Sequence, residues 1–156
     1  MIPADKLIQQ LELVPHPEGG FYKRTFLANH NQFSSILFLL QAGNFSAFHK
    51  LRSDEQWNWY QGDDILIHEI DLQGNYIQTN LSSNQANFQY VVKGGHWFAS
   101  ESNGRHGFAL CGCTVVPAFD FNHFELGKRN ELILQFPRLK TLITTFTRIN
   151  VQPDNL

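Results

Sequence analysis

No stretch of this sequence approaches the ~20 consecutive apolar residues that a membrane-spanning helix needs. The N-terminal segment MIPADKLIQQLEL carries charge within its apolar periodicity. It lacks the long apolar core and small-residue cleavage site of a secretory signal. Two cysteines, Cys111 and Cys113, are too few for a disulfide framework, so a cytoplasmic protein with reduced thiols is the simplest setting. Basic runs are missing and the net charge is −2, which removes any broad attraction for nucleic acid or an anionic membrane. Internal linkers, low-complexity tracts and short repeats are missing too. At 156 residues the expected organisation is therefore one domain spanning 1–156.

What is abundant is aromatic. Fourteen phenylalanines and three tryptophans are more than one small barrel readily buries, and they suit a core, a pocket wall or a subunit interface. A homodimer joined through its N-terminal strands would cover some of them.

Along the chain, Pro3 and the one-sided Leu7, Ile8 and Leu11 predict a short helix over residues 3–13. Val14–Gly20, VPHPEGG, ends it. Short strands are expected from Phe21 to Val116, with turns at AGN 42–44, QGDD 61–64, LQGN 72–75, SSNQ 82–85, KGG 93–95 and SNGRHG 102–107. Asp120–Phe124 is a further candidate strand. Many short strands at this spacing argue for a sandwich or barrel. Leu132, Ile133 and Phe136, then Leu139, Leu142, Ile143 and Phe146, have helical spacing on either side of Pro137, predicting two short C-terminal helices with strand as the alternative. Gln152–Leu156 are expected to fray.

The most informative stretch is Gly43–Gly62. Gly43 is followed by five residues and His49-Lys50-Leu51, then three residues and Glu55, then six and Gly62. Alternation along a strand puts Phe45, Ala47, His49 and Leu51 on one face, and Glu55, Trp57 and Trp59 share a face of the next strand. The spacing resembles the first motif of the cupin superfamily, in which a His-x-His pair and a glutamate point into a barrel. The second motif aligns best on Lys93–Phe98. The resemblance implies a divalent-metal site, and carries the first histidine onto His49 and the carboxylate onto Glu55. Leu51 stands at the second histidine and Phe98 at the last one, so two of four ligand positions are apolar. The expected cofactor is therefore none, with a divalent metal on His49 and Glu55 as the alternative; His96 is a displaced substitute.

Four further segments, HPEGGFY (16–22), RSDEQW (52–57), GGHWFAS (94–100) and CTVVPAFDFNHFEL (113–126), together resemble the uncharacterised cupin family 5 over residues 7–147. That resemblance implies an all-β double-stranded β-helix, a jelly-roll barrel, paired as a homodimer, with an internal pocket for a small polar ligand. It supplies no reaction.

Without a metal, the barrel keeps one imidazole and one carboxylate. Glu55 would fix the tautomer of His49, and His49 would take a proton. A tyrosine, Tyr60 foremost and otherwise Tyr90 or Tyr22, would return one. Trp57 and Trp59 would stack on a sugar-like or nucleotide-linked ligand, Gln89 would offer an amide, and Phe98 and Phe119 would form walls. The leading expectation is a metal-independent isomerase or epimerase, by fold-level similarity to the sugar-nucleotide epimerases. The alternatives are a non-catalytic binding module and a metal-dependent oxygenase or lyase. Glu18 reads as a turn residue that pairs with Arg24 or closes the pocket mouth. The cysteines read as core, and His30, His106 and His123 as surface; His68 has the parity to face inward.

Overall fold

The computed structural model describes residues 2–149. The expected Gln152–Leu156 fray lies outside them. Among these described residues, eleven strands form two antiparallel sheets. β1 (Val14–Pro15), β2 (Phe21–Leu27), β3 (Ser34–Gln41), β5 (Asp54–Gly62), β8 (Gln89–Val92) and β10 (Phe108–Val116) make one sheet, in the order β1-β2-β3-β10-β5-β8. β4 (Phe45–Leu51), β6 (Asp64–Ile70), β7 (Tyr76–Leu81), β9 (Trp97–Asn103) and β11 (Phe124–Leu126) make the other, in the order β11-β4-β9-β6-β7. Consecutive strands repeatedly cross between sheets, which makes the sandwich a jelly roll.

Three apolar layers follow from strand alternation. Between the sheets, Phe38, Leu40, Leu51, Trp57, Ile65, Ile67 and Phe98 are buried together. The outer face of the six-stranded sheet, with Leu39, Phe108 and Leu110, packs under α1 (Ala4–Leu11) through Leu7 and Leu13. The outer face of the five-stranded sheet, with Phe48, Ile70, Trp97 and Ala99, packs under α2 (Arg129–Gln135) and α3 (Lys140–Thr145) through Leu132, Ile143 and Phe146. The helix expectation therefore holds at both ends, and the β-branched run 143–147 is helical in its first part because Ile143 and Phe146 must reach that layer. His68 lies here too, stacked on Phe146 and bonded to Tyr76 and Glu101, rather than in the barrel. Asp120–Phe124 is not a strand. Phe121–His123 form a 3-10 turn capped by the Asp120 side chain, and only Phe124–Leu126 join the sheet.

One irregularity sets up the site. β4 and β9 pair as Ser46↔Ser100 and His49↔Phe98, so Ala47 and Phe48 together oppose Ala99. This is a β-bulge, and it breaks the simple alternation. Phe45 turns outward against Phe146 and Phe48 joins the outer layer, while Ser46 and His49 both face the interior. The backbone groups the bulge releases from the ladder are both reused. Ala47 N–H donates to Glu18 O at 2.7 Å, and Ala47 O accepts from His49 Nδ1 at 2.8 Å.

Candidate functional site

A cavity of about 930 Å³ opens at one end of the barrel. His49 and Glu55 line its floor, as their spacing predicted, and Phe119 lines its wall. The remaining predicted positions lie elsewhere. Trp57 has the expected inward parity but sits deeper, 1% exposed, edge-on to Phe38 and Phe98. Phe98 is also core, its ring 4.1 Å from that of His49. Trp59 donates its indole N–H to Asp63 O at 2.8 Å and borders a separate shallow depression with Phe88. Gln89 donates to Asn58 Oδ1 at 2.7 Å on the outer face. Tyr60 is 52% exposed and lies over Gly112, since it has the opposite strand parity to Glu55. It therefore cannot reach His49. Tyr90 donates to Glu69 Oε2 at 2.6 Å, away from the cavity, and His96 is bonded to the same Glu69. Of the three tyrosines, Tyr22 alone lines the cavity.

The groups that sequence reasoning missed come from the HPEGG turn. Glu18 does not pair with Arg24. It enters the barrel, only 7% exposed, with Oε2 3.1 Å from His49 Nε2 and 3.5 Å from His16 Nδ1, and Oε1 accepting from Ser46 Oγ at 2.9 Å. Glu18, not Glu55, is thus the carboxyl partner of His49. His16 is held by Tyr22, Phe119 and Phe121 around its ring. Its Nδ1 accepts from the Glu18 backbone N–H at 3.2 Å, so the neutral ring carries its proton on Nε2. Arg148 ties the turn to the start of β4, donating to Glu18 O at 3.5 Å, to Phe45 O at 2.7 Å and to Asn44 Oδ1 at 3.0 Å. The only local signal for this arrangement was a histidine and a carboxylate two residues apart, ahead of a Gly-Gly pair.

His123 and Asp120 also border the cavity, and so do Arg24 and Arg52. Cys113 is a buried free thiol lining the cavity beside Glu55. The core reading of the cysteines holds, with one sulfur at the cavity wall.

Burial governs the protonation of the floor. It pushes Glu55 up to about 8, with the neighbouring Glu18 adding to the rise and the Cys113 thiol opposing it. It pushes Glu18 up as well, against the opposing effects of His16 and Ser46. It drives His49 down to about 4, against the bond to the Ala47 carbonyl, and lowers His16. At neutral pH Glu55 is therefore a carboxylic acid, a buried proton donor at the cavity floor. Burial favours the acid form of Glu18 and the neutral form of His49, and the 3.1 Å between Oε2 and Nε2 is short enough for a proton to pass between them.

These shifts predict a pH dependence of stability. Glu55 binds its proton more tightly folded, about 8 against an ordinary 4.5, so its contribution is complete below pH 4.5 and is lost as pH rises through 8. His49 works oppositely: its contribution is complete above 6.5 and is lost as pH falls through 4. From pH 4.5 to 6.5 the two oppose each other. From 6.5 to 8 Glu55 dominates the pair and removes about 2 kcal/mol. Urea unfolding at both pH values should show this loss in the wild type and its disappearance in Glu55→Gln. Equal losses in the two proteins would contradict the protonated Glu55.

A family model described as "Cupin superfamily (DUF985)" matches residues 5–127. Among solved structures, protein SO0799 from Shewanella oneidensis is 34% identical, with a TM-score of 0.91 over 96% of this chain and 100% of its own. A hypothetical protein from Leishmania major is 29% identical, with a TM-score of 0.88 over 94% of this chain and 99% of its own. A variant of the oxalate decarboxylase of Bacillus subtilis is 12% identical, with a TM-score of 0.61 over 91% of this chain and 41% of its own, a likeness of fold alone. No curated protein matches. No helix among the described residues is long and apolar enough to cross a membrane.

Proposed function

The chain belongs to the DUF985 family of the cupin superfamily, and we propose that its barrel binds a small polar, sugar-like ligand and moves a proton on it, as an isomerase or epimerase. The observation that carries this reading is the pair of buried carboxyls, Glu18 and Glu55, held in different protonation environments over one cavity. Such a pair suits proton transfer beside a carbonyl group.

The roles differ from those expected of His49 with Glu55 alone. Both nitrogens of His49 are engaged, Nδ1 by Ala47 O and Nε2 by Glu18, so His49 acts through Glu18. Passing its proton to His49 Nε2 leaves Glu18 a carboxylate, which removes the proton from the carbon next to the carbonyl. Glu55 gives its proton to the carbonyl oxygen as the enol forms. Glu18 then returns its proton to the former carbonyl carbon of the enediol while the hydroxyl on the neighbouring carbon gives its proton to Glu55, which restores both groups and leaves the isomeric aldose or ketose. His16 Nε2–H has no protein partner among the described residues and is available to a ligand hydroxyl.

The residues do not fit the divalent metal that this fold commonly holds. Leu51 and Phe98 offer no lone pair, and His49 has no nitrogen to spare. Among the described residues no three His, Cys, Asp or Glu side chains are grouped as a metal requires. The reaction proposed is one of proton transfer by side chains.

The test is hydrogen exchange. A panel of neutral and acidic aldoses and ketoses, incubated with the protein in D2O, should include at least one compound that gains deuterium next to its carbonyl, as read by proton NMR. A compound that binds by thermal shift yet shows no exchange under excess protein would point instead to the binding module.

We also propose a homodimer. Phe26 and Phe33 stack 5.2 Å apart at the β2 edge while remaining 52% and 36% exposed, which suits burial by a second copy. Light scattering should give twice the chain mass of 18.0 kDa; a species of 18.0 kDa would refute the dimer.

A further inference from the structure

We infer that the ligand is an oxyanion, a small carbonyl or polyol compound with a carboxylate or phosphate group, gripped at the cavity mouth by Arg24 and Arg52 with its uncharged end on the floor. The orientation rests on the acid–base reading of that floor; the anion site itself does not.

Arg24 and Arg52 reach the cavity from different parts of the chain. Arg24 lies on β2 with the inward parity of Tyr22 and pairs across the ladder with Ile36, which brings no charge. Arg52 lies at the corner between β4 and β5. The acid nearest to Arg24 by motif, Glu18, is turned away into the barrel toward His49. Neither guanidinium has an ion pair among the described residues, whereas Lys23, Lys50 and Lys93 each reach a carboxylate. Each guanidinium presents five donors in a fixed plane, the geometry that matches carboxylate and phosphate oxygens. His123 stands on the same rim. The one acid there, Asp120, uses Oδ1 to accept from Asn122 N–H.

The floor excludes the same anion. Glu18 and Glu55 are already held against ionisation by burial, and Glu18 further disfavours charge on Glu55. A ligand carboxylate or phosphate beside them would bring an unpaired negative charge into a buried floor that offers it no cation. Its hydroxyls and carbonyl meet no such penalty. Between floor and rim, Tyr22, Phe119 and Phe121 offer ring faces and edges to a carbon skeleton. The cavity is thus polarised, with neutral acids inside, aromatics midway and cations outside, and the ligand should be polarised to match.

Inorganic phosphate and acetate serve as probes, titrated separately into the full-length protein at constant ionic strength made up with chloride. The readout is the Nε–H NMR signals of Arg24 and Arg52, assigned from Arg24→Gln and Arg52→Gln. At least one anion should shift both signals saturably, with a dissociation constant on the order of millimolar. Each single variant should weaken that binding by at least about tenfold, the cost of losing one charged two-point contact. Tighter binding of phosphate identifies a phosphorylated ligand, and tighter binding of acetate a carboxylate. Absence of a saturable shift with either anion overturns the inference, and so does unchanged affinity in both variants. Since the readout needs no turnover, an anion site in a protein that exchanges no substrate hydrogen would retire the isomerase reading and leave this one standing.

Discussion

Glu18→Gln is expected to slow substrate hydrogen exchange by about a hundred- to ten-thousand-fold, the usual worth of a positioned acid or base, while leaving the fold intact. The glutamine amide can still accept from Ser46 Oγ through oxygen and donate to His49 Nε2 through nitrogen, because Glu18 makes those contacts through different oxygens. What it cannot do is take up or release a proton. Glu55→Gln should lose a similar amount for the complementary reason. It keeps a donor near the ligand carbonyl but supplies no proton from a group poised at about 8. Because the two carboxyls act together in one enolisation step, the double variant should be about as slow as the slower single one. Multiplicative losses, measured by deuterium incorporation, would mean the two act separately, and the shared mechanism would fail. His49→Gln should be slowed too, although His49 is not expected to touch the ligand. It removes the base that holds the proton of Glu18, and a purely structural role would leave the pH profile of exchange unmoved.

The contrast between Glu18 and Glu55 shows how far the sequence could be read. His49 and Glu55 were legible because the Gly-His-Glu-Gly spacing maps directly onto two consecutive strands and the corner between them, where alternation on either side of the corner fixes direction. The same rule places Trp57 inside and Tyr60 outside; assigning Tyr60 a proton set the chemical need for an acid above its parity. Glu18 was not legible. Its contact with Ser46 spans 28 residues and depends on the bulge at Ala47–Phe48, which no residue type announces. Arg148, which holds the turn, acts across more than 100 residues. The HPEGG glycines give the chain its freedom to turn. Their second property, letting one backbone segment lie against another, is visible only once β4 is in place.

That second property makes Gly19→Ala the substitution expected to damage the protein most. Gly19 has φ +111°, outside the range alanine tolerates, and a Cβ there would overlap the Phe45 carbonyl oxygen and Arg148 Nη2. The arginine end can move aside, but the carbonyl belongs to β4 and can shift only by disturbing the bulge. The adjoining Glu18 O to Ala47 N–H bond of 2.7 Å would go with it. Gly43→Ala is the matched control, since its φ is +80° but nothing lies within 4 Å of the added carbon. The control should cost about 1–2 kcal/mol, the ordinary penalty of a left-handed alanine. Gly19→Ala should cost more than about 3 kcal/mol, combining that penalty with the clash and a displaced buried hydrogen bond. Urea denaturation of both variants at one pH separates the two causes, and equal losses would show that close approach to β4 contributes nothing. If Gly19→Ala folds at all, Glu18 is moved off His49, and exchange should fall as far as in Glu18→Gln. Glycine at this position is therefore a condition of the proton-transfer pair, because only a residue without a side chain lets the turn lie close enough to β4 to carry the carboxyl into the barrel.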